Sequence, residues 1–485
     1  MNTTWSSTVK DNQFVVAKNI CYWDDNTPQV ARGFKQFWPT VTNWKAINGY
    51  YYNEKQVSWY NCIVVAGDVM YTFDWTIYTS IKTGLTEWWQ RDFMQYKDIV
   101  YMCDWINNYA SRNGTTYTEY SGQPKCKYLT MIGDRLYGAW ETANPNTLYY
   151  TAPVPTNWNT INTNTVLIWG DDFWTINIIA WVGNIICVVK SDKAYYVDVV
   201  NKSAQPVDWQ TWGYANRTFA EINTGIVFLS ARGLDTLKAK QGNANGNVLE
   251  QVSLTADLQS FTKKIKETSR NSSCWYYSPL LQRYYRSFDT TGDNINDTTL
   301  VYDTRLDART EYTVPSATVF WKFTQDGITK IVCASWNSLY EIENSYTHNW
   351  YDPVVELKTK EYNQKSQNLK TYEQTIIEWY MTKNTTLSID VMDWDNVLQN
   401  AKVQWSTLTT TTTWGLWVYP LWLYPLWWPT DTVDMYWFKC IINMYEFWEQ
   451  VSLRFTSTGG FRAIERYSIS YEEESNNISY LSDQY

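Results

Sequence analysis

Glycine is scarce in this sequence and tryptophan is abundant. The chain has 20 glycines and 30 tryptophans among 485 residues, whereas glycine is usually about 7% of a soluble protein. Six tryptophans follow Asp or Asn between strand-like runs, where Asp-Gly or Asn-Gly would form a tight turn with a positive φ: Trp44, Trp75, Trp105, Trp209, Trp350 and Trp394. An indole is sterically disfavoured at a positive φ. The shortage of glycine and the excess of tryptophan therefore point to a common origin.

An alternative genetic code explains both deviations. In this hypothesis, codons translated here as tryptophan, such as a reassigned UGA stop codon, are read as glycine in the source lineage. It predicts tight turns and solvent-facing side chains at tryptophans 75, 105, 336, 350 and 394. The alternative is that the tryptophans are genuine and stack on sugars or anchor interfaces. A binding surface would cluster them, whereas they are spread from Trp5 to Trp448, and Trp158 is interpreted as genuine.

The sequence also lacks the usual residues of an active site. Its only histidine, His348, lies beside Asn349-Trp350 in a turn-like context. Histidine-based zinc sites are therefore excluded, and a Ser-His-Asp triad would have to use this one residue. No Gly-x-Gly-x-x-Gly, Walker or Gly-x-Ser-x-Gly motif is found at a strand-to-helix junction. We therefore expect no enzymatic activity, no catalytic or metal-binding residue, and no cofactor.

Acidic residues provide the remaining candidates for chemistry. The pairs Asp24-Asp25, Asp171-Asp172 and Asp393-x-Asp395 could serve glycoside hydrolysis, which needs two carboxylates about 5 to 9.5 Å apart. The run Asp289–Asp297 has enough oxygen ligands for Ca²⁺ but not the EF-hand spacing. Asp is favoured in turns for its local hydrogen bonds, so we interpret all of these as structural turns.

Positive charge is too sparse for broad nucleic-acid binding. The net charge is −9, and a protein that neutralises phosphates needs a basic face. The one basic cluster, Lys263, Lys264 and Lys266, is interpreted as the solvated side of a helix. At most, transient and non-specific proximity to DNA is expected.

The eight cysteines are widely spaced and form no Cys-x-x-Cys pair; they are Cys21, Cys62, Cys103, Cys126, Cys187, Cys274, Cys333 and Cys440. This spacing predicts buried, reduced thiols rather than a zinc site or a disulfide framework. The N-terminal residues show no signal peptide, so synthesis in the cytoplasm is expected. The segment Trp414–Pro429 is too short to span a bilayer and contains helix-breaking prolines. We interpret it as a flexible loop and expect no membrane association.

Short apolar runs separated by turns dominate the chain up to about residue 350. For example, residues 63–65 turn at Gly67-Asp68 into residues 69–73, and a further turn at Asp74-Trp75 leads to residues 76–78, which predicts a β-meander. Similar units recur every 30 to 50 residues or so, a spacing typical of propeller blades. The sequence therefore predicts an all-β fold with a β-propeller of about six or seven blades.

Two further segments refine this prediction. Leu254, Leu258, Phe261 and Ile265 fall on one helical face, with Ser253 or Thr255 placed to cap it, so one amphipathic helix is predicted as an insertion. After Asp352-Pro353 the strands become longer and more polar, which favours a β-sandwich. The expected domains are an N-terminal extension at 1–45 joining the propeller, the propeller at 46–350, and a C-terminal β-sandwich at 351–485.

Four stretches of the chain resemble the β-propeller proteins of tailed-phage virions, including packaged-DNA stabilisation and tail-nozzle proteins. They are Pro124–Leu129 through Gly133–Tyr137, Thr147–Thr151 with Trp158-Asn159, Tyr214–Thr218 through Gly225–Ser230 and Gly233, and Ser335–Tyr340 leading to His348–Trp350. The likeness covers roughly residues 45 to 471. It departs from the family at tryptophans that stand where such proteins tend to carry glycine.

The resemblance implies a structural protein of the tail or head-tail junction, acting as a connector, nozzle or DNA-stabilisation component. It also implies a homo-oligomeric ring in contact with the portal or adaptor and with other tail proteins, located in the virion after synthesis in the bacterial host. Two alternatives remain open. A glycan-binding or glycan-cleaving propeller adhesin would place acidic residues and genuine aromatics at the central mouth of the propeller. A host-type propeller scaffold would show more uniform blade repeats than this sequence does.

Overall fold

The computed structural model is almost entirely β-sheet. It describes residues 14–473 apart from 23–27, 32, 42, 44, 53–61, 74–76, 88–90, 112–115, 121–122, 142, 154–163, 169–174, 183–184, 191–192, 208–218, 223–224, 231–232, 241–247, 254–264, 267–268, 270–271, 307, 326–327, 344–353, 360–369, 383–385, 394–395, 405–410, 413–415, 421–434, 449–451 and 459–460. No α-helix occurs in this described part of the chain. The helix predicted from Leu254 onwards falls mainly on 254–264, outside the described residues.

The chain forms 40 strands in order. The first four are β1 (Phe14–Lys18), β2 (Ile20–Tyr22), β3 (Pro28–Val30) and β4 (Phe34–Gln36). The next eight are β5 (Ile47–Tyr52), β6 (Cys62–Ala66), β7 (Val69–Phe73), β8 (Tyr78–Lys82), β9 (Asp92–Tyr96), β10 (Ile99–Cys103), β11 (Asn108–Ser111) and β12 (Thr118–Glu119). They are followed by β13 (Tyr128–Ile132), β14 (Arg135–Ala139), β15 (Thr147–Tyr150), β16 (Thr165–Leu167), β17 (Ile176–Val182), β18 (Ile185–Lys190), β19 (Ala194–Asp198) and β20 (Ser203–Pro206).

The second half of the chain continues in the same manner. It contains β21 (Ala220–Ile222), β22 (Gly225–Ser230), β23 (Gly233–Lys240), β24 (Val248–Ser253), β25 (Cys274–Ser278), β26 (Arg283–Phe288), β27 (Thr298–Asp303), β28 (Ala308–Tyr312), β29 (Val319–Gln325), β30 (Ile328–Ser335) and β31 (Ser338–Ile342). The last strands are β32 (Val354–Thr359), β33 (Lys370–Thr382), β34 (Thr386–Asp393), β35 (Asn396–Gln404), β36 (Thr411–Thr412), β37 (Leu416–Pro420), β38 (Met435–Trp448), β39 (Ser452–Thr458) and β40 (Phe461–Glu473).

Contacts divide the chain into two compact units that are discontinuous in sequence. Unit 1 comprises residues 1–35, 301–313 and 343–485, and unit 2 comprises residues 36–300 and 314–342. The ranges expected from the sequence, 1–45, 46–350 and 351–485, are continuous instead. Residues 36–45 and the short segment 301–313 are the main differences between the two divisions.

Unit 2 is a six-bladed β-propeller, as the sequence predicts. Six four-stranded sheets form its blades. Blades 1 to 5 are β5–β8, β9–β12, β13–β16, β17–β20 and β21–β24, and the closing blade combines β29–β31 with the early strand β4. Between blade 5 and the closing blade, β25 and β26 form a further antiparallel pair.

The two ends of the propeller sequence meet between the closing blade and blade 1. The backbone N–H of Phe37 donates to the carbonyl of Leu339 at 2.8 Å, and that of Val41 donates to the carbonyl of Asn337 at 2.9 Å. Trp38 lies in the apolar core shared by blade 1 and the closing blade, where it is 7% exposed. Because burial of apolar surface drives folding, this core fixes the closure of the ring.

Unit 1 contains two sheets, which fit the β-sandwich-like domain expected from the sequence. The strands of one sheet follow the order β28-β1-β32-β39-β34-β35-β36, and those of the other follow β2-β3-β40-β33-β38-β37. Strands β33, β38 and β40 are the long polar strands expected after residue 350. Part of the predicted flexible loop at 414–429 is a strand instead, because β37 pairs with β38 through Val418 and Cys440. Of the described residues, none belongs to a helix long and apolar enough to cross a membrane.

Candidate functional site in the propeller cavity

A cavity of about 630 Å³ opens at the centre of unit 2. Its walls come from the first strands of blades 1, 2, 3 and 5 and of the closing blade, namely β5, β9, β13, β21 and β29, together with β25. Its volume lies within the range of about 300 to 1,000 Å³ that is usual for small-molecule sites. The architecture therefore brings side chains from more than 270 positions of sequence into one concave site.

Aromatic side chains dominate two parts of the cavity wall. On one side, Tyr51 contacts both Phe93 and Trp321, with ring centroids 5.6 Å and 5.2 Å apart. These three rings belong to β5, β9 and β29, so they join three blades. On another side, Phe219 and Trp275 have centroids 6.0 Å apart. Stacked and tilted pairs of this kind stabilise a site beyond their buried area.

The charged residues of the wall are balanced in sign: Arg91 and Lys322 are basic, and Asp92 and Glu221 are acidic. Arg91 is 1% exposed and its guanidinium donates to the carbonyl oxygen of Thr86. Asp92 Oδ2 accepts a hydrogen bond of 2.8 Å from the backbone N–H of Leu129. Arg91 and Asp92 therefore hold neighbouring backbone in place.

Two polar groups in the wall differ from this structural pair. Burial raises the pKa of Glu221, while a hydrogen bond from the backbone of Trp181 opposes the rise. The indole Nε1 of Trp321 is buried and has no hydrogen-bond partner. A buried donor without a partner costs about 1 to 3 kcal/mol, so this N–H is a feature of the cavity that a bound acceptor would stabilise.

The predicted acidic candidates do not converge on this cavity. Asp24, Asp25, Asp171, Asp172 and Asp395 lie outside the described residues, as do His348 and the side chain of Asp393. In the described part of the chain no group of three or more His, Cys, Asp or Glu residues is arranged to hold a metal ion.

The loop from Asp289 to Asp297 is a structural turn, as interpreted from the sequence. Asp289 Oδ1 accepts backbone hydrogen bonds of 2.7 Å from both Thr291 and Gly292, and Oδ2 accepts another of 2.7 Å from Asn294. Asp297 accepts a hydrogen bond of 2.7 Å from the Thr290 hydroxyl. Burial alone would raise the pKa of Asp289, but hydrogen bonds from Ser269 and the loop backbone outweigh it and hold the pKa at about 2. The carboxylate oxygens thus stabilise their own loop.

The prediction of buried, reduced cysteines is confirmed for the seven whose side chains are described. Burial raises the pKa of Cys187 to about 12 and also raises those of Cys62, Cys126 and Cys333. A thiol must ionise before it can act as a nucleophile. These cysteines therefore serve as small apolar core residues.

The tryptophans fall into two structural groups. Trp105, Trp140 and Trp336 have positive φ angles of 68°, 61° and 51°, which L-residues other than glycine rarely adopt. Trp336 is 64% exposed, as predicted. Trp105 is in a turn but only half-exposed, because its ring packs against Trp140 at 6.2 Å. Trp38, in contrast, is buried against Phe73 at 4.4 Å. Tryptophans 75, 350 and 394 lie outside the described residues, as does Trp158.

The sequence analysis missed the residues that line the cavity. Trp275 and Trp321 belong to strands with strong β propensity, and their aromatic content is not distinctive in a chain so rich in aromatics. The available signal is their position: each lies in the first strand after a long connection, and first strands line the centre of this propeller.

Known propellers share some of this architecture. The chain is similar to the WD40 β-propeller domain of Doa1, with 9% identity and a TM-score of 0.42 over 64% of this chain and 96% of that one. It is also similar to the WD40 domain of Neurospora crassa Pan2, with 11% identity and a TM-score of 0.31 over 68% and 90%. The N-terminal domain of Nup159 shows 12% identity and a TM-score of 0.35 over 68% and 84%. No protein-family description and no curated protein sequence matches the chain. The propeller assignment rests on the sheet order.

Proposed function

We propose that this protein is a non-enzymatic structural component of a tailed-phage virion. In this proposal it forms a homo-oligomeric ring between the portal or its adaptor and the distal tail, where it helps to retain the packaged genome. The observation that carries the proposal is the ordered set of four stretches that resemble virion propeller proteins. Their described parts fall in blade strands: residues 128–137 in β13 and β14, 147–150 in β15, 225–230 in β22, and 335–340 in β30 and β31.

Two physical properties support this proposal. A ring of blades protects sheet edges and presents rigid faces, which suit the head-to-tail contacts of a cyclic oligomer. The net charge of −9 is compatible with a conduit whose wall repels phosphate, so that DNA passes without adhering.

Purified virions provide the direct test. Mass spectrometry of the particles should detect the chain in stoichiometric amount, and cryo-electron microscopy should place it in a ring at the head-tail junction or tail. Absence of the chain from mature particles would contradict the proposal. Hydrolysis of a host glycan that a single Asp→Asn substitution abolishes would favour a glycan-cleaving adhesin instead.

A further inference from the structure

We propose that the central cavity of the propeller binds a carbohydrate, with sugar rings packed against its aromatic walls. This site is independent of whether the chain belongs to a virion, because it is defined by residues of unit 2 alone. It assigns a ligand class to a cavity for which neither the sequence motifs nor the predicted acidic pairs suggested a role.

The shape and composition of the cavity favour a ligand with apolar faces. The rings of Trp321, Tyr51 and Phe93 form a continuous aromatic wall, and Phe219 with Trp275 forms another. The C–H faces of pyranose rings pack against such rings, and the volume of about 630 Å³ is large enough for a small saccharide.

The polar groups of the wall favour hydroxyl groups on the same ligand. Trp321 Nε1 is a buried donor without a partner, and a hydroxyl oxygen is a suitable acceptor for it. Glu221 provides a carboxyl group that accepts hydrogen bonds from hydroxyl donors. A donor and an acceptor among aromatic rings match a molecule that is apolar on its ring faces and polar at its edges.

The charges of the wall favour a neutral ligand over an ionic one. The lining contains two basic and two acidic residues, so their formal charges cancel. Arg91 and Asp92 are also committed to backbone groups of Thr86 and Leu129. A phosphate-bearing ligand would need a clear excess of donors and positive charge, whereas a quaternary ammonium ion would need an excess of aromatic and acidic groups.

Isothermal titration calorimetry and saturation-transfer difference NMR test the proposal on the full chain. The probes are cellobiose, maltose and N,N′-diacetylchitobiose, with tetramethylammonium and inorganic phosphate for comparison. We expect binding of at least one disaccharide and neither ion. Trp321→Phe keeps an aromatic ring but removes the indole donor, and Glu221→Gln removes the carboxylate. Each should weaken disaccharide binding about tenfold, the loss expected for one hydrogen bond.

A matched control separates the cavity from the other tryptophans. Trp336→Gly changes an exposed tryptophan that is not part of the cavity lining, so it should leave the disaccharide affinity unchanged. Thermal unfolding of each variant verifies that it is folded, and Glu221→Gln serves as the second variant if Trp321→Phe is unstable. Failure of all three disaccharides to bind, unchanged affinity in both cavity variants, or binding of an ion alone would overturn the proposal. None of these outcomes affects the location of the chain in virions, which is tested separately.

Discussion

Trp336 occupies the same place in the closing blade that Gly67 occupies in blade 1. Each is the first of two residues joining the second strand of its blade to the third, between the paired residues Ser335 and Ser338 or Ala66 and Val69. Their φ angles are +51° and +62°. A two-residue hairpin with a positive φ at its first position is characteristic of a type II′ turn, in which glycine is preferred there. A tryptophan therefore stands at a position whose backbone favours glycine.

The first prediction is that Trp336→Gly stabilises the protein by about 1 kcal/mol, the order of the steric cost of a left-handed conformation for an L-residue. The indole is 64% exposed, so its removal loses little packing. Chemical denaturation gives the change in the free energy of unfolding. Gly67→Ala should have the opposite effect, since alanine at a positive φ is strained. As a matched control, Trp38→Gly should cost about 3 to 5 kcal/mol, as large core truncations do. A similar loss for Trp336→Gly would show that its indole is needed for packing.

The second prediction concerns the alternative genetic code. If it applies, residues 105, 140 and 336 of the protein isolated from its natural source are glycine, because all three have a positive φ. Peptide mass spectrometry of that protein, together with the codons of its gene, decides each position. Tryptophan at all three positions in the natural peptides would exclude the hypothesis. In that case the pair of Trp105 and Trp140 around Lys127, whose Nζ lies 4.0 Å from the Trp140 ring centroid, would be a genuine cation–π cluster.

The third prediction is a loss of stability in acid that depends on Asp289. Its hydrogen bonds hold the folded-state pKa at about 2, below the value of about 3.9 for an unperturbed Asp. A depressed pKa contributes stability above the unfolded value, and this contribution is lost as the pH falls from about 4 to about 2. Asp289→Asn should therefore lower stability at pH 7 and reduce its decline over this interval. Urea denaturation at pH 7, 4 and 2.5 measures both effects. An equal acid-induced decline in both proteins would contradict this role.

The fourth prediction concerns Asp390 and Arg454, which face each other on the paired strands β34 and β39. Arg454 Nε and Nη2 donate to Asp390 Oδ2 at 2.8 Å and 2.6 Å, and Asp390 is 4% exposed. Arg454→Met leaves this buried carboxylate without its cation, so we expect a loss of about 3 to 5 kcal/mol. In the more exposed pair Lys82–Glu119, Glu119→Gln should cost about 0 to 1 kcal/mol. Equal losses in the two urea titrations would show that burial does not set the strength of the first pair.

Local patterns predicted the strands whose turns and side-chain alternation are encoded nearby. The hairpin of β6 and β7 illustrates this, because Gly67-Asp68 marks its turn and apolar residues fill both strands. The segment at 416–420 was interpreted as loop because its prolines and possible glycines weaken the strand signal. Its pairing with β38 supplies backbone hydrogen bonds that the segment alone does not reveal.

The sequence by itself determined an all-β chain, a repeated blade-like unit, buried thiols and the anomaly of tryptophan at turns. These properties depend on composition and on contacts between near neighbours in the chain. Tertiary structure decided how the ring closes, since Phe37 and Leu339 pair across 302 positions, and which strands line its centre. It also brought Trp321, Tyr51 and Glu221 into one cavity. No local pattern encodes these relationships, because they arise from packing and strand pairing between distant segments that gain stability only when the ring is complete.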